Sequence, residues 1–117
     1  MDSSNALDPN ALWVKDEALR RLGGNEVLLN KIVELFLNQI DEKLNEFSMS
    51  LKSMDANQVA FVSHAIKGIA ADVGANALRF KASEFEQLAK LGVLEEIIQQ
   101  KKNFESIITQ TIEAMTN

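Results

Sequence analysis

From Asn25 to Met54 the chain contains neither proline nor glycine, and its apolar residues recur in steps of three and four: Leu29, Ile32, Val33, Phe36, Ile40, Leu44, Phe47, Leu51 and Met54. That spacing draws one continuous stripe along an α-helix, whereas on a strand it would fall on both faces. The run makes roughly seven to eight turns at about 3.6 residues each. A helix of that length buries its stripe only against other helices of comparable length, so this segment alone points to a bundle. Leu28, Leu35 and Leu37 give its first half a second apolar face, suited to a short packing partner.

The rest of the chain follows the same grammar. There are five glycines and one proline in 117 residues, and most of them stand where a periodic segment stops. Asp8-Pro9 reads as an N-cap followed by a first helical residue, opening a short helix over 8–22 that Gly23-Gly24 ends. Asn25 caps the long helix, 25–54. Asp55, with Gln58 three residues on, resembles a capping box and opens a third helix over 55–73, whose core stripe is Val62, Ile66, Ile69 and Val73. Gly74 stops it, and Asn76 caps a fourth, 76–91, carrying Leu78, Ala82, Phe85 and Ala89. After Gly92 the last helix, 93–116, carries Leu94, Ile97, Ile98, Phe104, Ile107, Ile108, Ile112 and Met115. Short connections make neighbours antiparallel. The expectation is a single all-α domain over 1–117: an antiparallel up-down-up-down four-helix bundle with a short N-terminal cap helix.

Composition removes several functional classes. With no cysteine there is no disulfide, thiolate nucleophile or Cys-ligated zinc. A net charge of −5 and a pI near 4.8 speak against a nucleic-acid partner, whose phosphates require a basic stripe. No long uncharged apolar run suits a membrane span. Met1-Asp2-Ser3-Ser4-Asn5 lacks the basic and apolar regions of a signal peptide, so a cytoplasmic, free-standing protein is the expectation. Glu34, Asp41, Glu42, Glu46, Glu84, Glu95 and Glu96 are scattered on helix exteriors and read as a solvated surface rather than a cation site. A di-iron bundle needs Glu-x-x-His pairs on several helices, and this chain has one histidine. No metal and no cofactor is expected.

That histidine is the most specific chemical signal. His64 is followed by Lys67 and Gly68, three and four residues on, so all three share a helix face. With Val62 set at zero and about 100° per residue, the core stripe falls within roughly 40° and His64 lies near 200°. Ala60, Lys67, Gly68 and Ala71 surround it, between roughly 140° and 240°. A glycine inside a helix costs about 1 kcal/mol relative to alanine. On an outer face no packing within the domain requires one, so Gly68 reads as room left for a partner. Phe61, near 260°, sits at a boundary; partial burial and an apolar anchor for a partner are both open to it.

The stretch from His64 to Leu78 resembles the His-x-x-Lys-Gly … aliphatic-Gly-Ala-x-x-Leu pattern of histidine-containing phosphotransfer (HPt) domains, here His64, Lys67, Gly68, Val73-Gly74-Ala75 and Leu78. The likeness continues into Ala82 and Phe85-Glu86, with Phe85 where the family often has leucine, and upstream through Leu22-Gly23-Gly24-Asn25, Leu28-Leu29 and Phe36-Leu37. Ile69 stands where a small residue is frequent. The resemblance implies a four-helix bundle and a phosphocarrier without enzyme activity of its own. His64 would be the phosphoacceptor on Nε2, Lys67 would stabilise the phosphoryl group and Gly68 would give access to the partner. Gly74 would be structural. Ala60, Phe61, Ser63 and Ala71, with the middle of the second helix, would form the docking surface. The implied partners are a response-regulator receiver domain or a hybrid sensor histidine kinase, with a monomeric chain sufficing and the receiver supplying Mg²⁺ and most of the catalysis. A phosphoryl group carries about −1.5 to −2 charge near neutral pH, and an exposed lysine one turn away contributes roughly 0–1 kcal/mol, which suits a reversible carrier. The alternative is a non-catalytic helical interaction module in which His64 is incidental and Lys67 only a solubilising charge.

Overall fold

The structure, a computed structural model, describes residues 8–117. Its described residues form helices α1 (Lys15–Arg21), α2 (Glu26–Lys52), α3 (Ala56–Val73), α4 (Asn76–Lys90), α5 (Glu95–Gln99) and α6 (Lys101–Thr116) and contain no strand. Helices α2, α3, α4 and α6 make an antiparallel four-helix bundle; α1 packs on α2 and α3, and α5 leads into α6. At about 1.5 Å per residue, α2 with its 27 residues is about 40 Å long, and it sets the 42 Å long axis of the molecule.

Side-chain caps open the two helices that carry the bundle. Asn25 accepts the Leu28 N–H at 3.0 Å and Asp55 accepts the Gln58 N–H at 3.1 Å, each satisfying a donor that has no partner inside its helix. The apolar stripes meet in one core, where Phe47, Phe85 and Phe104 from α2, α4 and α6 stack with ring centroids 4.9–5.7 Å apart. Such aromatic clusters add specific edge and face contacts to the burial of their large apolar area.

The structure corrects several expected boundaries. Asp8-Pro9 starts a turn, not a helix: Asp8 Oδ1 accepts the Asn10 N–H at 2.9 Å and the Asp8 carbonyl accepts from Ala11 at 3.3 Å. Asp followed by Pro is favoured at the first two positions of a type I turn as well as at a helix start, so the dipeptide does not distinguish them. The helix expected over 8–22 is only Lys15–Arg21, and residues 1–7 of the expected domain lie outside the described residues. Asn76 is the first residue of α4 rather than its cap; it is buried, and its Nδ2 donates to the Asp8 carbonyl at 3.3 Å. The long helix ends at Lys52, and Met54 takes a left-handed conformation with φ 56°. The last helix, expected unbroken over 93–116, starts at Glu95 and is interrupted at Gln100, whose side-chain carbonyl accepts from Lys81 Nζ at 2.7 Å. No glycine or proline marks that break, and the buried residues Ile97, Phe104 and Ile108 keep helical spacing across it.

Residues 11–14 form a strap across the α3–α4 end of the bundle. Val14 N–H donates to the Gly74 carbonyl and Ala77 N–H to the Ala11 carbonyl, both at 2.8 Å. Trp13 Nε1 donates to the Val73 carbonyl and Arg21 to the Ala71 carbonyl, each at 2.8 Å. The strap and α1 therefore satisfy carbonyls that the end of α3 leaves without helical partners. Gly74 turns the chain with φ 81°, and a Cβ there would stand 2.8 Å from the Val14 carbonyl oxygen.

Candidate functional site

His64 lies midway along α3, and 67% of its side chain is exposed. The buried positions of α3 are Val59, Val62, Ser63, Ile66, Ala70 and Val73. At about 100° per residue they span 0–100° from Val62, with their centre near 50° rather than at Val62 itself. The physical reason is that α3 packs against α4 even more extensively than against α2, so the buried arc turns toward α4. The outward pole then falls near 230°, with Gly68 at about 240°, His64 at about 200° and Phe61 at about 260°.

This rotation reassigns two docking residues. Ser63 is fully buried, and its Oγ has no hydrogen-bond partner, so it is not part of an accessible surface. Phe61 is not at a boundary: it is 69% exposed, one turn before His64. Ala60 and Ala71 are half-buried on either side. Gly68 is exposed, and a Cβ there would meet nothing within 4 Å, so the fold itself makes no demand for glycine at this position. Ile69, expected in the core, is half-buried at its edge.

The neighbour of the imidazole is α4, not the middle of α2. His64 Nδ1 lies 3.0 Å from Glu86 Oε2, and the Glu86 side chain is only 5% exposed. Lys67 Nζ lies 2.7 Å from Glu86 Oε1, and Lys90 Nζ, one turn further along α4, is 3.2 Å from Oε2. Lys67 is thus not a free surface charge; its side chain is 31% exposed and pairs with a buried carboxylate. The Lys67 ammonium, chiefly, holds the Glu86 carboxyl from 4.5 down to about 2 against the opposing effect of burial, with Lys90 and His64 adding to the depression. Glu86 is therefore an anion at any ordinary pH and can only accept hydrogen bonds.

Neither Glu86 nor Lys90 is singled out by the pattern around His64, yet a signal was present. Glu86 falls about 40° from Ala82 on the α4 wheel, inside the stripe of Leu78, Ala82, Phe85 and Ala89. A carboxylate on a buried stripe needs cations or donors facing it, and Lys90 at i+4 is one of them. Which residues of another helix complete the set is not a property of the α4 pattern.

A carboxylate acceptor at Nδ1 decides the state of the ring. Nδ1 must carry the proton, so in the neutral imidazole the lone pair is on Nε2. Nε2 makes no hydrogen bond to any described residue. The arrangement is a nucleophilic nitrogen on an open face, with one more cation than anion fixed around the ring's inner edge. Among the described residues no cluster of three or more acidic or histidine side chains could hold a metal ion, and no helix is long and apolar enough to cross a membrane.

A family model described as Hpt domain matches residues 31–116, from early α2 to the end of α6. The matched segment contains His64, Lys67, Gly68, Gly74, Glu86 and Lys90. No curated protein and no solved structure matches the chain significantly.

Proposed function

The chain belongs to the Hpt domain family, and from that premise we propose that it is a phosphorelay intermediate in which His64 accepts a phosphoryl group from a receiver-domain aspartate and passes it to another receiver. Hpt domains serve phosphotransfer in two-component systems and are phosphocarrier modules rather than catalysts. The reading is carried by one observation: the exposed His64 ring has Nδ1 on the Glu86 carboxylate and Nε2 without a partner. Phosphoryl transfer depends mainly on positioning and charge neutralisation, and both are supported here. Glu86 orients the ring, while Lys67 and Lys90 lie near enough to turn from Glu86 toward an incoming phosphate.

The receiver supplies Mg²⁺ and most of the catalysis, and this chain supplies the nucleophile and a docking face. Gly68, at the outward pole beside His64, leaves the partner's loops space that any side chain would occupy. Phe61 is the apolar anchor at the same face, with Ala60 and Ala71 as its low rim; Ser63 has no part in it. One chain with one histidine suffices for the reaction, so the carrier works as a cytoplasmic monomer and receives its phosphate from a receiver, either free-standing or part of a hybrid sensor kinase.

The test is to mix the protein with a receiver phosphorylated on aspartate and look for acid-labile phosphate on the carrier. Wild type takes up label; His64→Gln takes up none while its helical CD spectrum persists. Label surviving His64→Gln, or no label from a panel of receivers, overturns the relay reading.

A further inference from the structure

The contact between Glu86 and His64 has a consequence for the phosphorylated ring as well as for the free one. When Nε2 attacks an aspartyl phosphate, its lone pair forms the N–P bond. The P–O bond to the receiver's aspartate breaks, and its electron pair stays on that carboxylate. If Nδ1 keeps its proton, the product ring is an imidazolium bearing the phosphoryl group. In the return step the N–P bond breaks, the pair returns to Nε2, and neutral imidazole leaves. If instead Nδ1 loses its proton after phosphorylation, the same bond cleavage must expel imidazolate, a far more basic leaving group. The protonation of the nitrogen remote from phosphorus therefore decides whether the carrier can hand on its cargo.

We infer that Glu86 is a positioning residue that keeps the Nδ1 proton on His64 through the whole cycle, so that the ring attacks and departs as the same neutral imidazole and no general base takes part in either direction. The inference rests on the relay reading of His64. It is carried by geometry: an acceptor-only group 3.0 Å from Nδ1, almost fully buried and gripped by Lys67 and Lys90 on its two oxygens. The low proton affinity of Glu86 supports it, because the carboxylate does not take the proton that it holds. The charged groups in ion-pair reach of this carboxylate are His64 and Lys67 from α3 and Lys90 from its own helix, and none of the described residues of α1, α2, α5 or α6 reaches it. The two lysines have a second part in this arrangement. They balance Glu86 while the ring is neutral, and the positive charge that develops on the ring takes over as they swing toward the phosphoryl oxygens. Lys90 is thereby assigned beside Lys67 as a cation shared between Glu86 and the cargo.

Glu86→Gln separates this role from simple support. An amide accepts from Nδ1–H or donates to bare Nδ1 with equal ease, so it keeps the ring in place without favouring its protonated form. The ratio of wild-type to Glu86→Gln transfer rates, measured to one phosphate-accepting receiver, then grows about tenfold per pH unit above the imidazole range. A merely structural role lowers the variant's rate by a factor that is constant with pH, and that result overturns the inference. Phosphoramidate, a small-molecule donor that modifies histidine directly, loads the ring without any receiver. On protein loaded this way, ¹⁵N NMR of wild type shows Nδ1 still protonated at about two pH units above the free imidazole range, and an unprotonated Nδ1 there overturns the inference even if Glu86→Gln does not fold. If Nδ1 stays protonated but no receiver exchanges phosphate with the chain, the proton-holding role stands and the relay reading fails.

Discussion

Replacing Gly74 by alanine tests the strap that closes the site's end of the bundle. Gly74 has φ 81°, and an added Cβ would lie 2.8 Å from the Val14 carbonyl oxygen and 3.3 Å from Ala18 Cβ. A left-handed conformation costs a non-glycine residue about 1–2 kcal/mol. The overlap is with backbone, which cannot swing aside as a long side chain would, so the strap must shift. That shift strains the Val14–Gly74 and Trp13–Val73 hydrogen bonds, both at 2.8 Å, and losing either costs about 0.5–1.5 kcal/mol. The expected loss is about 2–4 kcal/mol out of the 5–15 kcal/mol typical of a domain. For a chain of this size that lowers Tm by about 8–16 °C. Urea and thermal unfolding followed by CD measure the loss. The single tryptophan reports where it arises: Trp13 emission should shift to the red as its indole N–H leaves the Val73 carbonyl. A loss under about 1 kcal/mol with unchanged Trp13 emission would refute the reasoning, since the left-handed backbone alone accounts for that much.

Gly68 is the opposite case: its Cβ position is open space in a helix interior, so Gly68→Ala should stabilise the domain by about 0.5–1 kcal/mol, and a higher urea midpoint checks this. Gly68→Leu should leave the fold intact and slow phosphoryl exchange with a receiver at least about tenfold; unchanged transfer kinetics would reject the access role. The Glu86 carboxyl is lower folded than unfolded, about 2 against 4.5, so its stabilising contribution is complete above about pH 5 and is lost as the pH falls from there toward 2. Unfolding free energies of wild type and Glu86→Gln should accordingly differ by a constant amount near neutral pH and converge in acid; a gap that widens on acidification would contradict the assignment. Ser63 buries a hydroxyl without a partner, a loss of about 1–3 kcal/mol when no bond replaces water. Ser63→Ala should therefore be neutral or stabilising in denaturant titration, and a destabilisation of more than about 1 kcal/mol would mean that the hydroxyl is bonded after all.

The bundle was legible because its causes are local. Apolar steps of three and four, the caps at Asn25 and Asp55, and the stops at Gly23-Gly24, Gly74 and Gly92 each act within one or two turns of chain. The same kind of pattern marked His64, Lys67 and Gly68 as one outward face of α3 and carried the family resemblance. Where two structures share one local signature the reading failed, as at Asp8-Pro9, which begins a turn. It also failed where nothing local changes, as at Gln100, where periodicity continues through the break.

By itself, then, the sequence determined a bundle of long helices and an accessible histidine beside a lysine and a glycine. The tertiary structure alone decided what stands behind that histidine. A helix wheel has an angle but no neighbour: only the packing of α3 onto α4 turned the buried arc about 50°, sank Ser63, exposed Phe61 and brought Glu86 to Nδ1. Charges paired across helices depend on the relative height and rotation of two separately patterned segments, and those are set by how the whole core fills space. That is why Lys67 reads along the chain as a surface charge and is, in the fold, one side of a buried carboxylate's ion pair beside the ring.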